Sequence, residues 1–172
     1  MIRDLKLEDW INHDLFSFSW WFILVNIILF LFIWWKLVDK TRLMEILFVG
    51  LLFSVIADFL DVAGSSFVLW SYPVMFLPVM PPMVPVNLVY LPVMYMLIYQ
   101  FFPGWKPFIV ASTALAAVNS FVGEPLCVWL NIYQLNNWRH VYSFPIYILV
   151  AVVVKWATVK IQSKQGNRSG GW

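Results

Sequence analysis

A chain of 172 residues that is 62% hydrophobic, only 12% charged and of mean hydropathy +0.80 cannot be an ordinary soluble domain, where about a quarter of the residues carry charge. A net charge of +2 is too small for a nucleic-acid binder, and a single cysteine, Cys127, excludes an intrachain disulfide and a thiolate metal cluster. What remains is an all-α, polytopic transmembrane helical bundle whose partner is the lipid bilayer, its charges clustered between apolar runs.

Residues 1–17 mix both charge signs and lack the basic, apolar and small-residue succession of a cleavable signal peptide. Leu5, Leu7, Trp10, Ile11, Leu15 and Phe16 form an apolar set that suits either an interfacial segment or a loosely ordered tail. The first span is expected over Phe18 to Trp35, with Trp20 and Trp21 at one headgroup level and Trp34 and Trp35 at the other. Asn26, in mid-span, is expected to hydrogen-bond another helix.

Lys36, Lys40 and Arg42 form the densest basic loop, which the positive-inside rule places in the cytoplasm, leaving the N-terminus outside. The second span, Leu43 to Gly64, returns outward. It carries Ser54, Asp58, Asp61 and Ser65 at i, i+4, i+7 and i+11, one stripe on one helix face. A carboxylate in hydrocarbon is costly, so these acids must face protein, water or a partner. Glu45, at the inner end, suits pairing with Arg42 or with the helix dipole.

Residues 66–83 contain Pro73, Pro78, Pro81 and Pro82 and cannot form a continuous helix. The segment is either a short kinked span or a re-entrant or interfacial segment that does not cross. Charge favours the second: Lys106, Lys155, Lys160, Lys164 and Arg168 then join the first basic loop inside, giving about five spans with the C-terminus in the cytoplasm. The third span, Val84 to Phe102, should bend at Pro92 and carries Asn87 near its outer end. After the turn Pro103–Pro107, the fourth, Pro107 to Leu130, sets Thr113, Ser120, Glu124, Cys127 and Asn131 on one face. Ala116, Ala117 and Gly123 favour close packing there, and Pro125 should distort the helix beside Glu124. The last span is expected over Ser143 to Val159, with Lys155 snorkelling inward. Residues 18–160 thus read as one transmembrane domain, followed by a Gly- and Ser-rich tail over 161–172 that is expected to be mobile.

Depth brings a candidate site together. Asp58, Asp61 and Glu124 fall in the outer third of the bilayer, with Trp70, Tyr72, Asn87, Tyr133, Trp138, Arg139 and His140 at or just above that level. The acids have two readings. Arg139 could pair with them and pin the outer loop. Alternatively, three acids against one guanidinium leave at least one carboxyl protonated, a Brønsted acid in an aromatic-lined pocket. Neither HExxH nor G-x-S-x-G is present, and Asp58-x-x-Asp61 alone is a weak magnesium signal, so no cofactor or metal is expected. Three functions fit: an acid–base isoprenoid (terpene) cyclase-like enzyme with Asp58, Asp61 and Glu124 as its catalytic groups; a module that binds or transports a cationic or amphipathic small molecule; or a structural protein in which the polar stripes join helices.

The runs WWKLVDKTRLMEI (Trp34 to Ile46), DVAG (Asp61 to Gly64), LWSYP (Leu69 to Pro73) and YQFFPGWKPF (Tyr99 to Phe108) resemble a family of small polytopic membrane proteins of spore-forming Firmicutes. The resemblance implies a bacterial plasma-membrane protein of four to six spans and implies no activity. Trp70-x-Tyr72 leading through prolines into a helix is more weakly similar to the membrane-embedded lycopene and meroterpenoid cyclases, although Pro85-Val86-Asn87 stands where those cyclases carry paired acids.

Overall fold

The computed structural model describes residues 7, 8, 10–77 and 85–169, with side chains to residue 164. Five helices account for most of it: α1 (Phe18–Leu37), α2 (Leu43–Ser66), α3 (Val86–Phe101), α4 (Trp105–Trp129) and α5 (His140–Ser169). Four of them are long and apolar enough to cross a membrane; α3, at 16 residues or about 24 Å of rise, falls short of a bilayer's roughly 30 Å. The protein is an all-α membrane bundle. The first two helices each run two residues further than their apolar runs suggest, and the last begins three residues earlier, at His140.

Local chemistry sets the ends. Ser17 caps α1 by accepting the Trp20 amide at 3.2 Å. Asp39 opens a single 3-10 turn, Lys40–Arg42, by accepting both the backbone amide and the hydroxyl of Thr41. Those two hydrogen bonds hold the Asp39 carboxyl below its ordinary range. Arg42 forks onto Glu45 at 2.6 and 3.2 Å, so the expected pairing is present, and Tyr99 donates to the same carboxylate at 2.6 Å.

Packing is tightest between α2 and α3. Gly50 brings the helices together: a side chain there would meet the Met96 sulfur at 2.5 Å. Phe53 stacks on Tyr95 with ring centroids 4.3 Å apart. Ile46, Val49, Val93, Ala151 and Val154 complete a core shared by α2, α3 and α5. By contrast, Ile23 is the only buried residue of α1; Phe30 and Trp34 pack against the core, while Val25, Ile28, Leu29, Leu31 and Phe32 are exposed, as on lipid-facing helices.

Two ends can be distinguished. At one, Gln100 joins the Asp39 amide and the Leu37 carbonyl, so the α1–α2 and α3–α4 connections are neighbours. Lys155 does not snorkel free. It is 2% exposed and donates to the carbonyls of Phe102, Pro103 and Gly104 at 3.1, 2.8 and 3.4 Å, above the Phe108 ring. Lys36, Lys40, Arg42 and Lys106 gather at this end. At the other, Trp70–Ser71 (β1) pairs antiparallel with Gln134–Leu135 (β2), a two-residue ladder between loops that carries no periodicity to read in advance. Residues 67–77 stay here. Trp10 donates to the Met75 carbonyl at 2.9 Å, Trp20 to that of Phe76 at 3.1 Å, and the Met75 amide to Asp14 at 3.0 Å. The described part of the proline-rich segment therefore does not cross, and residues 78–84 lie outside the described residues. The turn Trp10–Asp14 is thereby docked on the bundle end.

Candidate functional site

Below the β1–β2 ladder the bundle holds a partly open cavity of about 490 Å³, lined by all five helices and both loops of that end. Its wall is apolar and aromatic, with Phe22, Ile27, Phe30, Phe53 and Leu60 among its residues. Two of the three predicted acids, Asp61 and Glu124, line it from opposite helices, α2 and α4.

Each acid is held by aromatic donors. Asp61 accepts one hydrogen bond from the Trp70 indole at 3.0 Å and another from the Tyr72 hydroxyl, both on the same oxygen. Gly64, one turn along α2, makes room for Trp70: a side chain there would lie 2.1 Å from the indole ring. Trp70 meets Trp138 edge-on at 5.2 Å and Tyr133 at 6.4 Å, while Tyr72 lies 5.7 Å from Tyr133. Burial first, and then the Asp61 carboxylate, push the Tyr72 phenol far above its ordinary pKa; burial with Glu124 and Asp61 does the same to Tyr133. Both phenols therefore remain donors. Glu124 accepts from Tyr147 at 3.1 Å and pairs with His140 Nδ1 at 2.8 Å. Trp138 donates to Ser143 at 2.9 Å, which fixes the loop leading to His140.

Seven of the ten expected residues thus surround one cavity: Asp61, Glu124, Trp70, Tyr72, Asn87, Tyr133 and Trp138. The remaining three are placed differently. Asp58 lies one turn before Asp61, beside Asn87 and outside the lining. Arg139 is exposed, and Glu124 takes His140 as its partner instead, so the acids are not pinned by a guanidinium. His140 stands behind Glu124 rather than in the wall, with 29% of its side chain exposed against 11% for Glu124.

Several lining residues lay beyond the sequence reading: Tyr90, Asn119 and Tyr147, with Asn26, whose amide turns back to the Phe22 carbonyl of its own helix at 2.7 Å rather than to a neighbour. Asn119 and Tyr90 owe their positions to wide turns. Val86–Tyr90 at the start of α3 and Asn119–Gly123 within α4 are π-helical, closed by Leu91 N–H to the Val86 carbonyl and Glu124 N–H to the Asn119 carbonyl. In both cases a proline stands two residues beyond the turn, Pro92 and Pro125, and its missing N–H loosens the α-helical ladder. An amide five or six residues ahead of a helix proline is the readable signal for both Asn87 and Asn119. Tyr90 then donates to Asn119 at 2.7 Å, joining the two wide turns.

Comparison with protein families, with curated proteins and with solved structures finds no match for this chain.

Proposed function

We propose that this integral membrane protein binds a lipid-soluble, amphipathic small molecule, an isoprenoid or a chain of similar bulk, inside the bundle. The observation that carries the reading is the cavity itself. Its volume falls within the range of about 300–1,000 Å³ typical of ligand sites, and it combines an apolar body with a polar cap of two carboxylates and their aromatic donors. Polar groups this costly to place inside a membrane protein are default candidates for function.

Gly123 supplies the test. It lines the cavity, and a side chain built there meets nothing closer than the Val118 carbonyl at 3.8 Å, so Gly123→Leu fills the site with little strain elsewhere. In protein reconstituted in nanodiscs, tetradecane and its polar derivatives should slow thiol labelling of Cys127, which also lines the cavity. Gly123→Leu should abolish that protection. Protection equal in both proteins would end the reading.

A second reading keeps the same pocket and adds chemistry. His140 reaches partway to solvent and touches Glu124, which reaches the cavity, a two-residue path for a proton. Such a path suits acid-initiated cyclisation of an isoprenoid, with Glu124 as donor, Asp61 as acceptor, and the rings of Trp70 and Tyr133 beside the developing cation. Incubation with prenyl alkenes and epoxides tests it: product profiles unchanged in Glu124→Gln and Asp61→Asn would remove both residues from any chemistry.

The positive-inside rule extends the proposal to topology. The Lys36–Arg42 end belongs in the cytoplasm, and the cavity opens beneath the outer surface. The likeness to polytopic proteins of spore-forming Firmicutes supports a bacterial plasma membrane as its location.

A further inference from the structure

Two carboxamides line the cavity below its acidic cap, Asn87 on α3 and Asn119 on α4. They are 5% and 3% exposed; the Asn119 Nδ2 has no hydrogen-bond partner, and the Asn87 Nδ2 makes no well-formed hydrogen bond but lies toward the Asp58 carboxylate, outside the lining. A buried amide N–H₂ without an acceptor is expensive, and native proteins keep few of them. Tyr90 donates to the Asn119 Oδ1 at 2.7 Å, which leaves Nδ2 as the group that must find an acceptor. Asn87 is three residues before Tyr90 in the same wide turn. Both side chains are therefore carried by π-helical turns, a feature that recurs at functional sites because it re-aims one residue out of the α-helical register.

The polarity of the cavity is thus divided. Its cap holds acceptors, the carboxylates, which Trp70, Tyr72, Tyr147 and His140 already serve. Its middle holds amide donors, of which that of Asn119 has nothing to donate to and that of Asn87 has only Asp58 at its back. We propose that the ligand carries an uncharged acceptor oxygen of the carbonyl class (a ketone, aldehyde, ester or quinone oxygen) bound between Asn87 and Asn119, with its hydrocarbon part against the aromatic wall. This deepens the binding reading above and rests on it. An alkylammonium ligand would choose the acidic cap and leave the Asn119 amide unserved, as would a plain hydrocarbon.

Three probes of one chain length separate these cases: tetradecane, tetradecan-2-one and tetradecylamine, each titrated by mole fraction into nanodiscs holding the intact protein, with Cys127 labelling and the thermal midpoint as readouts. Tetradecan-2-one should half-protect at a mole fraction about tenfold below that of tetradecane, the effect of satisfying one or two buried donors. In Asn119→Ala, and again in Asn87→Ala, the ketone should lose most of that advantage while tetradecane protects as before, which also shows that the variant still folds around its cavity. Equal protection by ketone and alkane in the wild-type protein overturns the assignment, as does a ketone preference that survives both substitutions. A preference for the amine overturns it in favour of the carboxylates. If no probe protects, the binding reading itself fails.

Discussion

At Gly64 the structure leaves no space for even a methyl group, because the Trp70 indole occupies it. Trp70 is also a donor to Asp61, so the glycine sets the cavity's acid through the ring that touches it. Gly64→Ala must displace the indole, break that hydrogen bond and loosen the contact with Trp138. A loss of about 1–3 kcal/mol is expected, the usual cost of overpacking, together with a red-shifted tryptophan emission. Urea titration in mild detergent with fluorescence detection measures both, and an unshifted midpoint would show that Trp70 has room to move. Lys155 makes the same kind of argument at the opposite end. Its ammonium is the common partner of three consecutive carbonyls, and Lys155→Met fills the space but donates nothing. Leaving those carbonyls unserved should cost about 1–3 kcal/mol, readable in the same titration, with the damage confined to the turn between α3 and α4.

Among the elements, the wide turns decide what the cavity contains. An α-helix advances about 100° per residue, so one extra residue in a turn rotates everything beyond it by roughly that angle. The stripe Thr113, Ser120, Glu124, Cys127 and Asn131 assumes an unbroken 3.6-residue period. In the structure the period breaks between Asn119 and Gly123: Glu124 and Cys127 face the cavity, Ser120 does not line it, and Asn119 takes the inward place. Asn131 lies beyond the helix end with a φ of 56° and is exposed. Pro125→Ala restores the missing N–H donor and lets α4 relax toward a regular helix. The expected result is unchanged ellipticity at 222 nm with roughly tenfold weaker protection of Cys127 by tetradecan-2-one, because Asn119 rotates away. The short turn after α1 offers a pH test. The Asp39 carboxyl is held below its ordinary range by Thr41, so its contribution is present above the unfolded value of about 3.9 and fades as pH falls through the lower folded value. Asp39→Asn should melt below the wild-type protein at pH 7, and the gap should close in acid.

For the whole molecule, hydropathy and charge carried far. They are enough to place the long spans, the basic end and residues 67–77 at the other end, and depth alone gathers seven side chains that line one cavity. Depth is legible because each span has one direction and a known rise per residue; azimuth is not, once prolines reset the helical phase, and so Asp58 was grouped with Asp61 although it lies outside the wall. Nor could two-residue strands 64 residues apart announce that the loops of residues 67–77 and 131–139 are tied together.

The same charges make the last prediction. The described chain starts at the cavity end of the bundle and finishes at the other, where Lys36, Lys40, Arg42 and Lys106 sit together. Moving those cations across a bilayer during insertion is the unfavourable route, so that end should remain in the cytoplasm. Fused to the C-terminus, a fluorescent protein that matures only in the cytoplasm should be bright; alkaline phosphatase fused there should be inactive. The same phosphatase should be active when inserted after Asn136, in the loop beside the cavity. Lys36→Glu, Lys40→Glu and Arg42→Glu together should weaken that preference, because the loop that anchors the first two helices inside would then carry no excess of positive charge. Phosphatase activity at the C-terminus of the unaltered chain would invert the bundle, and the cavity would then take its ligand from the cytoplasmic leaflet.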